Sequence, residues 1–178
     1  AQQKFSKIGL LRIYLVAGSP RDRQNQLHKK IMKIDNCQAL VAPRVVALIG
    51  VSNDPRKLTA RPLQFCKQNK FSGKIFLVNP LRKQVLDQTA YASVSSIPEQ
   101  VDHAYILLST EMVEAALDDC IAAGVLVVSV LADGFAEAGA VGRERQARLV
   151  AKANTAGVMM IGPNSMGVVN IENGFICT

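Results

Sequence analysis

The 178-residue chain is long enough for one ordinary domain and too short for two comfortable ones. Its net charge of +7 invites a nucleic-acid role, but residues 1–44 carry the whole excess, because residues 45–178 hold twelve basic and twelve acidic side chains. The main part of the chain is electrically balanced, so we expect neither DNA nor RNA as a partner.

Residues 1–43 are predicted to be a basic leader or extension of unknown role, and residues 44–178 to be the domain. The boundary falls at Ala42-Pro43-Arg44, where the composition changes sharply. The apolar run at 8–17 is interrupted by Arg12 and is shorter than the ~20 residues of a membrane span, so no membrane association is predicted. A helix is compatible with residues 24–33.

The four cysteines form no closely spaced pair, so neither a metal site nor a disulfide framework is predicted. A reducing, cytoplasmic location fits this pattern best. Cys66 and Cys120 fall in predicted helices, where we expect them to be buried apolar side chains rather than nucleophiles.

The first predicted element of the domain is a strand, because residues 45–50 form a continuous apolar run that ends in glycine. Turn-forming residues follow at 52–55, and a helix is predicted at about 60–68, with Pro62 in its first turn. A second strand is predicted at 74–78 and is closed by Asn79-Pro80.

Strands and helices alternate through the rest of the chain. Residues 91–98 are predicted to be a loop with a short extended piece, and the later elements are strands at 104–108, 125–131 and 158–161 and helices at 111–123 and 142–156. This alternation predicts an α/β fold, a Rossmann-like parallel sheet of about five strands flanked by helices. Ligands of such sheets bind beyond the carboxyl ends of the strands, near the point where the strand order reverses.

The turn at 50–55 suits a ligand that carries phosphates. Gly50 permits close approach of the backbone, the start of the next helix offers free N–H groups, and Ser52 and Asn53 can add hydrogen bonds. An ordinary strand–helix turn with a capping Ser or Asn is an equally good interpretation of this hexapeptide.

A dinucleotide-dependent dehydrogenase expects Gly-x-Gly-x-x-Gly in this turn and an acidic residue after the second strand. The turn here has a single glycine, and Asn79-Pro80-Leu81-Arg82-Lys83 follows the second strand. A basic pair suits an extra phosphate on the ribose, as in coenzyme A or NADP, and Arg82 is the better candidate because guanidinium binds phosphate through two hydrogen bonds. A solvated surface pair is the simpler alternative.

Four ordered motifs resemble one known family. They are Val-Ala-Leu-Ile-Gly-Val-Ser-Asn-Asp-Pro-Arg-Lys (46–57), Val-Asn-Pro (78–80), Asp-Gly-Phe-Ala-Glu (133–137) and Gly-Pro-Asn-Ser-Met-Gly (162–167). Together they resemble the coenzyme-A-binding domain of the NDP-forming acyl-CoA synthetases, which include ADP-forming acetate–CoA ligase and the α subunit of succinyl-CoA synthetase. The resemblance runs from about residue 44 to the end.

The resemblance implies a set of residues that bind coenzyme A. Residues 52–55 match the turn that holds the phosphates of the coenzyme, and Arg82 matches a basic residue that contacts the coenzyme. Residues 131–133 match the segment that lines the same groove, and residues 162–167 match the loop near the thiol. The implied residues are Gly50, Val51, Ser52, Asn53, Asp54, Pro55, Asn79, Pro80, Arg82, Ser109, Leu131, Ala132, Asp133, Asn164 and Ser165. Relatives often have cysteine where this chain has Ser165 and proline where it has Ser109.

The resemblance also implies that catalysis needs more than this chain. In the family, a histidine of a second domain is phosphorylated, and an ATP-grasp domain or subunit handles ATP, ADP and magnesium. His28 and His103 are the only histidines here, and neither is expected to take that role. We also expect Asp133 to cap a turn and Glu137 to begin the next segment, rather than to act as an acid–base pair.

No catalytic or metal-ligating residue is therefore predicted, and the chain alone is expected to be inactive. The leading hypothesis is a component of an acid–CoA ligase that presents coenzyme A to an acyl phosphate formed on other domains or subunits. The alternatives are a standalone coenzyme-A-binding or regulatory module and an NADP-dependent oxidoreductase. The sequence leaves a homo-oligomer open.

Overall fold

The computed structural model describes residues 35–178. The interval 24–33, the apolar run at 8–17 and His28 lie outside the described residues. Within the described range, the strands are β1 Val45–Ile49, β2 Lys74–Val78, β3 Gln84–Val85, β4 Gln88–Tyr91, β5 His103–Ile106, β6 Val127–Val130, β7 Met159–Ile161, β8 Val168–Asn170 and β9 Phe175–Cys177. The first seven strands form one sheet in the order β3-β4-β2-β1-β5-β6-β7, and β8 and β9 form a separate antiparallel hairpin.

Helices connect the parallel strands. The α-helices after residue 44 are α1 Arg61–Gln68, α2 Val113–Ala122 and α3 Ala140–Ala156, and short 3-10 turns lie at Leu58–Ala60, Val94–Ser96, Thr110–Met112 and Ala136–Ala138. Within residues 35–178, no helix combines the length and the hydropathy needed to cross a membrane.

Strand β1 lies in the middle of the sheet and is buried on both faces. Its side chains alternate between two cores, as the period of a strand requires. Ala47 and Ile49 pack with side chains of α2 and α3, whereas Val46 and Leu48 pack with side chains of α1 and the β8–β9 hairpin. The continuous apolar run in the sequence is the consequence of this double burial.

The strand order reverses beside β1. This strand pairs in parallel with β2 on one side and with β5 on the other. The chain builds the sheet outward through β2 and β4 and then returns to β5, so the topological switch point lies between β1 and β5. Ligands of open α/β sheets bind at such a point, which here lies beyond Ile49 and Ile106.

The predicted fold class is correct, but the strand count of about five is too low. The sheet has seven strands because β3 and β4 extend it, and β4 ends in the region that was predicted to be largely loop. Both additional strands are short, and the two residues between them, Leu86 and Asp87, are not the Asn-Gly or Gly-containing pair that signals a hairpin in a sequence.

The helix predicted from residue 142 begins two residues earlier, at Ala140. Gly142 lies inside the first turn of this helix. The residue is glycine because the backbone of Phe135 passes against it and leaves no room for a side chain. A β-carbon at position 142 would lie 1.7 Å from the Phe135 carbonyl oxygen. This glycine therefore permits a close approach between helix and loop and does not mark the start of the helix.

Residues 35–41 are helical and belong to the same compact unit as the sheet. Ala39 and Pro43 are buried, and the Asn36 side-chain amide donates a hydrogen bond to the Gly157 carbonyl (3.4 Å). The packed domain therefore includes residues N-terminal to the predicted boundary at 43–44.

The amino end of β5 carries two buried polar side chains. Asp102 accepts hydrogen bonds from the backbone N–H groups of Arg44 (2.7 Å) and Val45 (3.1 Å), which fixes the start of β1. His103 is fully buried, and its Nε2 lies 2.9 Å from the Ser129 hydroxyl oxygen. His103 lies at the edge of the sheet opposite to the carboxyl ends of the strands, which agrees with the expectation that it is not the phosphorylated histidine.

We predict a dependence of stability on pH that arises from His103. Burial lowers the pKa of its imidazole to about 3, from an ordinary value of 6.5. The unfolded chain then binds more protons than the folded one between these values, so this contribution is complete above pH 6.5 and is lost as the pH falls toward 3. Its size is on the order of a few kcal/mol.

Urea unfolding of the wild type and of His103→Gln between pH 4 and 7.5 measures this effect. We expect the wild type to lose stability steeply below pH 6.5 and the variant, although less stable at pH 7, to show a flatter profile. Parallel profiles for the two proteins would contradict the assignment to His103.

Candidate functional site

The turn at residues 50–55, here named the first turn, joins the carboxyl ends of three strands. The Gly50 N–H donates a hydrogen bond to the Val78 carbonyl (3.1 Å), and the Leu107 N–H donates to the Ile49 carbonyl (2.8 Å). Gly50 has φ of +91°, and a β-carbon there would lie 2.5 Å from Leu108 Cδ2. Glycine is required at this position by the backbone conformation and by the side chain of Leu108.

The polar side chains of the first turn are engaged within the protein. The Asp54 N–H donates to the Ser52 hydroxyl oxygen (3.0 Å), and the Leu86 N–H donates to Asn53 Oδ1 (2.8 Å). Among the described residues, the backbone N–H groups of Ser52 and Asn53 have no acceptor. Adjacent free N–H groups form a natural site for an anion.

An ion pair neutralises the carboxylate of the first turn. Arg56 donates through its backbone N–H and Nε to Asp54 Oδ1 (each 3.0 Å) and through its terminal guanidinium nitrogen to Oδ2 (3.0 Å). These bonds lower the pKa of Asp54 and raise the pKa of Arg56. The Asp54 charge is thereby balanced at a place where an unpaired carboxylate would repel phosphate.

The helix predicted at about 60–68 spans Arg61–Gln68 and does not follow the first turn directly. A 3-10 turn at Leu58–Ala60 intervenes, and the N-cap of α1 is Ala60, without a side-chain capping bond. Pro62 lies in the first turn of α1, as predicted. Ser52 and Asn53 therefore do not cap α1, and the predicted contribution of a helix start immediately beside the phosphates is wrong.

The remaining residues of the first turn have structural contacts. Val51 is buried in the core beneath α1, and the Pro55 carbonyl accepts a hydrogen bond from the Gln64 side chain (2.9 Å).

The turn after β2, at residues 79–82, is held by hydrogen bonds of Asn79 and leaves Arg82 exposed. The Asn79 N–H donates to the Tyr91 carbonyl (2.8 Å), and its Oδ1 accepts from the Leu81 N–H (3.0 Å). Pro80 and Arg82 are exposed. The Asn79 side chain therefore shapes this turn, while the guanidinium of Arg82 is accessible to a ligand.

An open groove of about 460 Å³ lies at the same edge of the sheet. Its lining includes five residues of the predicted set, which come from the segments after β6 and β7: Leu131, Ala132, Asp133, Asn164 and Ser165. The other lining residues lie outside that set, although Met166 belongs to the predicted loop 162–167: Leu58, Thr59, Arg61, Phe65, Leu107, Leu108, Met166 and Thr178. The residues of the first turn and Asn79–Arg82 do not line it.

The loop at 162–167 is bound to the segment after β6. The Asn164 N–H donates to the Ala132 carbonyl (2.9 Å), and the Ser165 N–H donates to the Val130 carbonyl (3.1 Å). The Ser165 hydroxyl oxygen accepts from the Gly167 N–H (3.0 Å). These bonds bring two segments that are distant in the sequence into one wall of the groove.

Ser109 takes a structural position beside the groove. It is the N-cap residue of the 3-10 turn at Thr110–Met112, and its carbonyl accepts from the Met112 N–H (2.9 Å). It follows Leu108, which does line the groove, but its own side chain is not part of the lining.

Glu137 and Asp133 do not form an acid–base pair. Glu137 Oε1 accepts from the N–H groups of Gly134 (2.7 Å) and Phe135 (3.1 Å), and backbone N–H groups, first that of Glu137 itself, lower its pKa. Glu137 is thus the residue that caps this turn, a role that was predicted for Asp133. The Asp133 carboxylate is left to face the groove.

The buried cysteines are not candidates for nucleophiles. Cys66 and Cys120 are fully buried, as predicted, and burial raises the pKa of the Cys120 thiol to about 12. Burial likewise raises the pKa of Cys177.

The groove, the free N–H groups and the neutralised carboxylate lie in segments that also match a known family. A family model described as a CoA binding domain matches residues 44–171, which include all of these turns. The chain belongs to the CoA-binding domain family. This CoA-binding domain is 36% identical over 143 residues to ADP-forming acetate–CoA ligase II of Archaeoglobus fulgidus, in a match that covers 80% of the chain and 21% of the relative.

A second relative and a solved structure match the same part of the chain. The CoA-binding domain is 38% identical over 128 residues to the α subunit of ADP-forming acetate–CoA ligase II of Pyrococcus furiosus, covering 72% of the chain and 28% of the relative. Its fold matches a dinucleotide-forming acetyl-coenzyme A synthetase 1 from Ca. Korarchaeum cryptofilum with a TM-score of 0.76 and 30% identity, covering 81% of this chain and 31% of that one.

These matches confirm the predicted resemblance to the NDP-forming acyl-CoA synthetases and the Rossmann-like fold. The chain spans between 21% and 31% of the length of these relatives. It corresponds to their CoA-binding domain and not to the whole enzymes.

We predict that Gly50→Ala destabilises the CoA-binding domain more than a matched glycine substitution. Gly139 has φ of +100° and ψ of −156°, a conformation that is nearly restricted to glycine, and nothing lies within 4 Å of its β-carbon position, so Gly139→Ala reports the backbone strain alone, about 1–3 kcal/mol. Gly50→Ala adds the contact with Leu108, for a total of about 2–4 kcal/mol. Urea unfolding measures both, and equal losses would show that Leu108 moves aside freely.

Proposed function

We propose that this domain binds coenzyme A along the carboxyl edge of its sheet and serves as the CoA-binding part of an NDP-forming acyl-CoA synthetase. The observation that carries the proposal is that three features lie along the carboxyl edge of the sheet in a CoA-binding-domain fold. They are the anion-binding first turn, the exposed Arg82, and the groove that ends at the loop 162–167.

The first turn suits the diphosphate of the coenzyme. The free N–H groups of Ser52 and Asn53 are donors, and the Asp54–Arg56 pair removes the repulsion that a free carboxylate would exert. Donation from the backbone needs no particular side chain, so the phosphates are held by the shape of the turn that Gly50 makes possible.

Arg82 suits the phosphate on the ribose. It is exposed, and its turn is held at the end of β2, beside the first turn, by the hydrogen bonds of Asn79. A guanidinium group binds phosphate through two parallel hydrogen bonds, which is the interaction that the 3′-phosphate of coenzyme A requires.

The groove suits the long arm of the coenzyme that ends in the thiol. Its walls combine apolar side chains such as Leu108, Leu131 and Phe65 with a few polar groups, among them Asn164 and Ser165. A mostly apolar groove with few polar groups is typical of ligand sites. The bound coenzyme would supply the thiol that attacks an acyl phosphate, and the chain's own residues would hold and orient it.

The acyl phosphate itself must come from other domains or subunits. Within the described residues, His103 is the one histidine, and it is buried at the opposite edge of the sheet from the groove. We propose a histidine-bearing domain and an ATP-grasp domain or subunit as partners, with ATP, ADP and magnesium bound there.

A standalone module that senses or buffers coenzyme A is the alternative. Its motivation is that His103, the one histidine of the described residues, lies away from the groove. An NADP-dependent oxidoreductase is disfavoured, because the first turn has one glycine where a dinucleotide-binding turn has Gly-x-Gly-x-x-Gly.

We predict that calorimetric titration shows binding of coenzyme A and none of NADP. Arg82→Ala should weaken coenzyme A binding by about tenfold, the size expected for a charge-assisted hydrogen bond. With dephospho-coenzyme A as the ligand, the same substitution should have a smaller effect, because the partner phosphate is missing.

Arg143→Ala is the matched control, since Arg143 is an exposed arginine on α3. It should leave both affinities unchanged. If Arg82→Ala weakens both ligands equally, Arg82 does not contact the ribose phosphate.

We predict that the domain forms no acyl-CoA by itself but does so when the products of the neighbouring genes, acetate, ATP and magnesium are supplied. Thioester formation measured with labelled acetate tests this. Formation by the reconstituted mixture rules out the standalone module, whereas tight coenzyme A binding without any thioester supports it.

A further inference from the structure

The side chain of Asn53 points its oxygen away from the expected position of the phosphates. Its Oδ1 accepts a hydrogen bond from the Leu86 N–H (2.8 Å), and because the partner is a donor, the oxygen must be the atom on that side. An amide oxygen also cannot bind a phosphate oxygen, since both accept hydrogen bonds. The contact therefore joins the first turn to the hairpin formed by β3 and β4.

The hairpin turn that Asn53 contacts has an unfavourable backbone. Leu86 and Asp87 form the two-residue turn between Val85 and Gln88, with φ of 48° and 58°. Positive φ at both central positions is the pattern of a type I′ turn, which strongly prefers Asn-Gly. A leucine in this conformation is strained and persists only where the surroundings hold it.

Two contacts hold Leu86 in place. Its side chain packs against the core beneath α1, and its N–H is bound by Asn53. The first contact fixes the side chain, while the second fixes the peptide plane that defines the turn. Without the second contact, nothing else in the described hydrogen bonds engages this N–H.

The hairpin leads directly to Arg82. The Ala90 N–H donates to the Lys83 carbonyl (2.9 Å), which closes the hairpin at its base, and the Arg82 N–H donates to the Asn79 carbonyl (3.4 Å). Arg82 is thus the last residue before a closed hairpin whose tip is fastened to the first turn. Arg82 therefore lies between the Asn79 turn on one side and the base of this hairpin on the other.

We propose that Asn53 is a positioning residue that holds the Leu86–Asp87 turn in its left-handed conformation and so sets the place of Arg82 relative to the first turn. The inference rests on the proposed binding of coenzyme A at these segments. Under this proposal, the Asn53 side chain couples the first turn to Arg82, so that the two proposed phosphate contacts keep a defined separation.

Amide hydrogen exchange in the ligand-free domain tests whether Asn53 protects the Leu86 N–H. In Asn53→Ala, we expect the Leu86 amide to exchange at least about tenfold faster than in the wild type, because its acceptor is gone. In Asn53→Asp, which keeps an acceptor oxygen, protection should be retained. Amides of α3, such as that of Ala153, serve as the internal control and should not change.

Titration with coenzyme A tests the positioning role. Asn53→Ala should weaken binding by about tenfold, the size expected for one net hydrogen bond. Adding Asp87→Gly, which favours positive φ at the second turn position, should restore affinity to within about threefold of the wild type. Adding Asp87→Ser instead removes the same charge without favouring the turn and should restore nothing.

The outcomes separate the possibilities. Unchanged exchange of the Leu86 amide in Asn53→Ala overturns the proposal. Faster exchange without rescue by Asp87→Gly also overturns it, since Asn53 would then act only by touching the ligand. A wild-type domain that fails to bind coenzyme A overturns the proposed function instead, and the exchange data still decide whether Asn53 holds the turn.

Discussion

The position of β1 is the constraint on which the rest of the molecule depends. The strand pairs with β2 and β5 at its two edges and packs against side chains on both faces. These contacts hold both of its ends in place. Asp102 binds the N–H groups at its start, and Gly50 turns the chain sharply at its end. The segments of the candidate site follow β1, its direct neighbours β2 and β5, and the two strands beyond β5, so the central strand aligns the strand ends that present ligand-binding groups.

The central part of the fold was predictable because burial on two faces leaves a strong pattern in the sequence. The strands β1, β2, β5, β6 and β7 and the three long helices were all predicted within a few residues. The hairpins were not, because their conformations depend on distant contacts. The turn at Leu86 and Asp87 is held by a side chain 33 residues away, and no rule for local turns contains that information.

The location of the candidate site was predictable from the sequence, but the contacts of its individual side chains were not. Glycine and small polar residues marked the ends of the strands, and the family match supports those segments. No local pattern, however, indicated that the side chains of Asn53 and Glu137 would accept hydrogen bonds from the protein's own turns. Arg61 and Phe65 of α1 were also missed, because their place in the lining depends on how α1 packs beside the segments after β5, β6 and β7, which are distant in the sequence.

The Asp54–Arg56 pair has a consequence for how the site responds to ionic strength. With that carboxylate balanced, the attraction of the first turn for an anion comes from short-range N–H donors rather than from net charge. Arg82, by contrast, is exposed and attracts through a full charge, which dissolved ions screen within about 10 Å at 0.1 M salt. In the proposed complex, added salt should therefore weaken the contact of Arg82 with the ribose phosphate before it weakens the contact of the first turn with the diphosphate.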